Sequence, residues 1–208
     1  YTALTDVQSE CLQLFRLMDS FIKKRTATKN KLHGEEVLGI PSSWVYRSLK
    51  RDRKHLDKEI LGIETKLLSL VKQDQQVHLT LLTSIPGISL KTALFMIVIT
   101  DGFKKFENSK QLCSYAGITS TIRESGSSVR GRISKVGNRK IRNLLFLCSF
   151  TACKHNKGCR DVYERIVNKG KSKKLALIAV SNKLIKQSFA IAKSGLPYDE
   201  KYVSVLSK

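Results

Sequence analysis

Apolar residues recur along the first part of the chain at helical spacing. Leu4, Val7, Cys11, Leu14, Met18 and Phe21 step by three and four, which puts them on one stripe of a helix over 2–32. Lys23, Lys24, Arg25, Lys29 and Lys31 gather toward its end, where positive charge suits a helix C-terminus. Gly34, Gly39 and Pro41 break the pattern, and Ser42 or Ser43 can cap a second helix running from Trp44 to about Leu82. Its stripe comprises Val45, Leu49, Leu56, Ile60, Ile63, Leu67, Leu70, Val77 and Leu81, with charged residues between. Two long stripes joined by a short break predict an antiparallel helical hairpin or a dimerising coiled coil.

Beyond Leu82 the period shortens. Residues 83–118 alternate turn and helix: a turn through Pro86-Gly87, a helix from Leu90 to Ile99 capped by Ser89, a turn at Asp101-Gly102, and a helix from Ser109 to Tyr115. Apolar-Pro-Gly-apolar between two helices resembles a helix-hairpin-helix, which offers backbone N–H groups at Gly87 and the following helix start to a DNA phosphate. Residues Thr119 to Gly131 lack a clear period and read as a serine- and glycine-rich turn. An apolar helix follows over 139–153, then a basic patch from Lys154 to Lys174 and a last helix from Lys174 to Lys193, stopped by Gly195 and Pro197. The pattern predicts an all-α chain in two parts, a helical arm over 1–81 and a compact helical domain over 82–208, the latter with a helix-hairpin-helix-like unit.

Charge changes this picture most. The formal net charge is +21, from 38 Lys and Arg against 17 Asp and Glu. Such an excess repels itself unless a polyanion neutralises it, so DNA or RNA is the expected partner. The arm is nearly balanced, with 14 basic and 10 acidic residues over 1–80, and reads as structural. Between 103 and 142 there are ten basic residues and two acidic, and between Lys154 and Lys174 eight against Asp161 and Glu164. The segment 123–142, RESGSSVRGRISKVGNRKIR, combines glycines, hydroxyls and cations that suit a phosphate-bearing backbone. Its candidates for DNA contact are Arg123, Gly126, Arg130, Arg132, Lys135, Asn138, Arg139, Lys140 and Arg142, with Gly87 from the earlier turn.

The remaining chemistry is sparse. Five cysteines form no CxxC pair, which points to a reducing cytoplasm and away from a zinc site. The apolar runs near 93–99 and 144–153 are too short or interrupted to span a bilayer, so no membrane is expected. Four scattered histidines and seven acids after residue 83 make no cluster for two metal ions, so no cofactor is expected within the chain. What the residues alone permit is a serine nucleophile for a phosphodiester, with Arg123, Arg130 and Arg132 to stabilise charge on phosphate. On the residues alone, a loop role for the serines is the stronger reading.

Four ordered motifs carry a resemblance. They are Ile85-Pro86-Gly87-Ile88 before an alanine-bearing helix; Phe103, Phe106, Leu112 and Tyr115-Ala116-Gly117-Ile118; the Glu124–Arg142 segment; and the final helix from Ala176 through Gly195, Pro197, Tyr198 and Asp199. From about Leu82 onward the chain resembles the C-terminal domain of bridge-RNA-guided insertion-sequence transposases, relatives of the pilin-gene-inverting recombinases. The arm is similar to the linker that joins their two domains. The resemblance implies a serine nucleophile at Ser125, with Ser127 and Ser128 as local competitors, acting in DNA strand exchange. It also implies Mg²⁺ bound by acids of an N-terminal RuvC-like domain outside this chain, a guide RNA and a homo-oligomer. The alternatives on the residues are a non-catalytic helix-hairpin-helix module and a structural assembly protein.

Overall fold

The computed structural model describes residues 5–40, 42–125, 128–134 and 136–201, and of 120–133 the backbone alone. Among the described residues seven helices carry the chain, and a two-stranded hairpin interrupts them. The structure divides into two compact units, Tyr1–Asp74 and Gln75–Lys208, where the apolar pattern sets its division between 81 and 82.

The first unit is a helical pair. Helix α1 (Asp6–Val37) starts with a capping box in which the Thr5 hydroxyl accepts from the Gln8 N–H and Gln8 answers to the Thr5 N–H. It runs straight through Gly34, since the chain leaves helix only at Leu38. Its partner is the first part of α2 (Ser43–Thr83). Cys11, Phe15, Met18 and Leu32 are buried on α1, and Leu56, Ile60, Ile63, Leu67 and Leu70 on α2. Ion pairs fix the direction: Arg25 meets Asp57 at 3.1 Å and Glu10 meets Lys66 at 3.6 Å, so later residues of α1 face earlier ones of α2. The pair is therefore antiparallel.

The expected stripes need two corrections. Phe15 is buried and Val7 is exposed, because the inward face of α1 follows Cys11, Phe15 and Met18. In α2, Val77 is 68% exposed while Leu79, Leu81 and Leu82 are buried. Gln75 departs from helical geometry (φ −137°, ψ 35°), and this interruption shifts the phase of everything after it.

The second unit is built around α7 (Lys173–Ser194). It packs on α4 (Ser109–Ala116), α5 (Arg139–His155) and α6 (Lys157–Asn168), while α5 also packs on α3 (Leu90–Thr100). Leu177, Val180, Leu184, Ile185, Phe189 and Ile191 form its inward face, as their spacing predicts. Helix α3 is buried from Thr92 to Thr100 on every side. Helix α6 falls within the basic patch, and the sequence reading assigned no helix there. Buried Asn156 caps it by accepting from the Cys159 N–H. By length and composition α7 alone among the described helices could cross a membrane, and half of that stretch is buried inside the unit.

Strands β1 (Ser120–Ser125) and β2 (Ser128–Ile133) form an antiparallel hairpin between α4 and α5. This is the stretch whose sequence lacks a clear period. Gly126 and Ser127, between the strands in sequence, lie outside the described residues.

Candidate nucleic-acid interface

The hairpin stands on a base built by the ends of α4 and α5. Helix α4 closes on Gly117 in the left-handed region (φ 68°), and the Ile118 N–H donates back to the Cys113 carbonyl at 3.1 Å. Asn138 opens α5: its side-chain oxygen accepts from the N–H groups of Lys140 (3.0 Å) and Ile141 (3.2 Å). Its backbone N–H donates to the Tyr115 carbonyl at 2.7 Å, and its amide to the Tyr115 hydroxyl at 3.1 Å. Tyr115 in turn leans on Phe106, ring to ring at 5.3 Å. Arg142 donates to the Ala116 carbonyl at 3.0 Å. Gly137 (φ 129°) lies so close to the Tyr115 carbonyl that a side chain there would collide with it. A last bond, from Ser134 N–H to the Thr119 carbonyl at 3.0 Å, closes the foot of the two strands.

Above this base the register is Thr121 opposite Arg132, Arg123 opposite Arg130, and Ser125 opposite Ser128. Opposite residues and alternate residues share a face of an antiparallel pair. One face thus holds the positions of Arg123, Arg130 and Arg132 with those of Ser125 and Ser128. Ile122, Val129 and Ile133 belong to the other.

The sequence candidates therefore fall into three groups. Ser125, Arg123, Arg130 and Arg132 sit at same-face register positions; Gly126 and Lys135, with Ser127, lie outside the described residues. Asn138, Lys140 and Arg142 belong to the base, Lys140 with its ammonium 4.8 Å from the centre of the Phe95 ring. Arg139 is exposed on the first turn of α5. Gly87 lies apart, in the turn before α3. There φ is 103°, and an added Cβ would come within 2.6 Å of Ala152 on α5. Close packing against α5 accounts for this glycine.

Sequence reasoning missed the base residues Tyr115 and Gly137 as supports of the site. The signal available was a left-handed or tight glycine next to an aromatic and an N-capping asparagine. Among the described residues no group of three or more His, Cys, Asp or Glu side chains could hold a metal ion. All five cysteines are free thiols, and burial pushes Cys159 up to about 12.

The likeness to known proteins falls on the segment that runs from the end of α2 into α6. Residues 79–164 match the family profile described as transposase IS116/IS110/IS902. This segment is similar to IS116/IS110/IS902 transposases. The hairpin and its base lie inside it. The chain is 31% identical over 121 residues to an uncharacterised protein of insertion element IS110 from Streptomyces coelicolor, covering 58% of this chain and 30% of that one. It is 26% identical over 190 residues to the pilin gene-inverting protein of Moraxella lacunata, covering 88% and 59%. A transposase for insertion sequence element IS1111A from Coxiella burnetii is 24% identical over 201 residues, covering 83% and 52%. The chain thus spans between 30% and 59% of the length of these relatives. The matched segment begins ahead of the α2–α3 turn and ends within α6.

Proposed function

We propose that the chain is the DNA-binding, nucleophile-bearing region of a recombinase that exchanges DNA strands. The observation that carries this reading is the hairpin register, in which Ser125 shares a face with Arg123, Arg130 and Arg132. In the proposed step the Ser125 oxygen bonds to phosphorus and the bond from phosphorus to the leaving deoxyribose oxygen breaks. The serine proton passes to solvent and the leaving oxygen takes one up, giving a serine–DNA phosphodiester that a second strand end reverses. The arginines offset charge that builds on the phosphate oxygens, the kind of stabilisation worth most when its groups are already positioned. Backbone N–H groups at the turn before α3 supply a further phosphate contact.

The upstream acids and their Mg²⁺ act from another domain in this reading, and a guide RNA would select the target. The arm supplies self-association: Val37, Leu38, Ile40 and Trp44, at the α1–α2 connection, are all more than 70% exposed. Residence with DNA in the reducing cytoplasm accords with five free thiols.

The test is to trap the adduct on a nicked duplex with the full-length recombinase and its guide, then map the modified peptide by mass spectrometry. The expected adduct is on Ser125, lost in Ser125→Ala with DNA affinity nearly unchanged. An adduct on Ser127 or Ser128, or full activity in Ser125→Ala, overturns the assignment. DNA binding with no adduct at all would return the chain to the non-catalytic binding module.

A further inference from the structure

A second set of cations lies outside the hairpin and its base. From Lys154, at the end of α5, through α6 to Lys174, in the first turn of α7, eight Lys and Arg residues face two acids, Asp161 and Glu164. All eight are exposed. Only the Arg160 side chain makes a hydrogen bond or ion pair among the described residues, donating to the carbonyls of Cys153 and Lys154. Four of the lysines, Lys169, Lys171, Lys173 and Lys174, crowd the α6–α7 connection. Lys173 and Lys174 stand at the positive end of the α7 dipole, where cations are disfavoured. The folded unit leaves this repulsion uncompensated, which is what an external polyanion would relieve.

The surroundings narrow the partner. Leu175 is the one exposed large apolar side chain among the described residues from 154 to 175, too little for insertion into a lipid surface. Of the two rings in the patch Tyr163 is half-buried, and His155 alone is exposed, short of the row of rings on which successive unpaired bases stack. The length fits a duplex backbone: α6 has 12 residues, and at 1.5 Å per residue it extends ~18 Å, about five phosphates along one strand.

We infer that the Lys154–Lys174 edge is a second DNA-binding surface that grips the backbone of duplex flanking the exchange site, without reading its sequence. This rests on the reading of the chain as DNA-binding, and it assigns no chemistry to the edge.

The experiment uses the full chain and follows binding to a duplex and to a single-stranded RNA of equal length by fluorescence anisotropy across a salt series. Four proteins are compared: wild type, the four lysines 169, 171, 173 and 174 changed to Gln, the same four changed to Arg, and Arg130→Gln with Arg132→Gln. Removing four phosphate contacts should lower the log-log salt slope on duplex by ~3–4. The Arg version should keep the wild-type slope, and circular dichroism should report unchanged helix in both. An unchanged slope in the Gln version, an equal or greater loss on the RNA, or a lost slope in the Arg version would each overturn the assignment. The hairpin pair reports separately. If Arg130→Gln with Arg132→Gln leaves the slope intact while the lysine variant lowers it, the hairpin reading fails and the edge stands.

Discussion

At the scale of single residues, Gly87 and His78 each bear on the stability of the Gln75–Lys208 unit. Gly87 combines a left-handed backbone with an approach to Ala152 that involves the backbone as well as the methyl group. Gly87→Ala should therefore destabilise the Gln75–Lys208 unit by about 2 kcal/mol or more. Thermal unfolding should show the loss, and adding Ala152→Gly should restore little of it, since the Ala152 backbone atoms stay in place. His78 stacks on Phe103 at 6.4 Å between ring centres. Burial, then the charges of Lys104 and Lys193, hold its pKa below the ordinary 6.5. The unfolded chain then binds more protons than the folded one as pH falls below 6.5, so folding stability drops on acidification and is fully present above that value. Denaturant titrations between pH 7 and 5 should reveal the drop, and His78→Phe should flatten it.

At the scale of elements, the hairpin carries a built-in conflict. Arg123 and Arg130 are direct cross-strand partners, and like charges so placed weaken a ladder. A two-stranded sheet is marginal on its own. Arg130→Thr should accordingly increase amide-exchange protection of 120–133 in the free chain, yet weaken DNA binding and erase the extra protection that DNA confers on the wild type. Exchange measured with and without duplex checks both halves. This hairpin was hard to read from the sequence because Glu124 and Gly131 interrupt the apolar alternation that Ile122, Val129 and Ile133 would otherwise show. The final helix was legible, since Leu177, Val180, Leu184, Ile185 and Phe189 keep strict helical spacing and all are buried. Helix α6 was hidden by its charges, with Cys159 its one fully buried apolar residue and the rest of its inner face half-exposed. The stripe of α2 was legible up to Leu70. Past that point the pattern alone has no means of registering a local break at Gln75, which reverses the exposure expected for Val77. Within the candidate site, the serine and arginine types were visible in the sequence, but the cross-strand pairing that places them on one face was not.

At the scale of the whole molecule, charge is partitioned. Beyond residue 80 lie 24 of the 38 basic residues but only 7 of the 17 acidic ones. DNA affinity of the full chain should fall steeply with salt and differ little between unrelated duplexes, as anisotropy on several sequences would reveal. The arm's contribution is apolar instead. Replacing Trp44 and Leu38 by Ser should shift the sedimentation profile toward monomer, with helix content unchanged; a wild-type chain that is monomeric at tens of micromolar would remove the arm from assembly. One feature of the domain sets when any of this becomes available. After α7 the chain returns so that the Tyr198 N–H donates to the Ser84 hydroxyl at 2.9 Å and the Tyr198 hydroxyl donates to Asn156 at 3.2 Å. The turn between α2 and α3 and the junction of α5 with α6 are thus tied by residues made long after both. On a ribosome the Gln75–Lys208 unit has neither its central helix nor its final tie until translation has passed Tyr198, so its earlier helices wait, unfastened, for the last residues of the unit to be made.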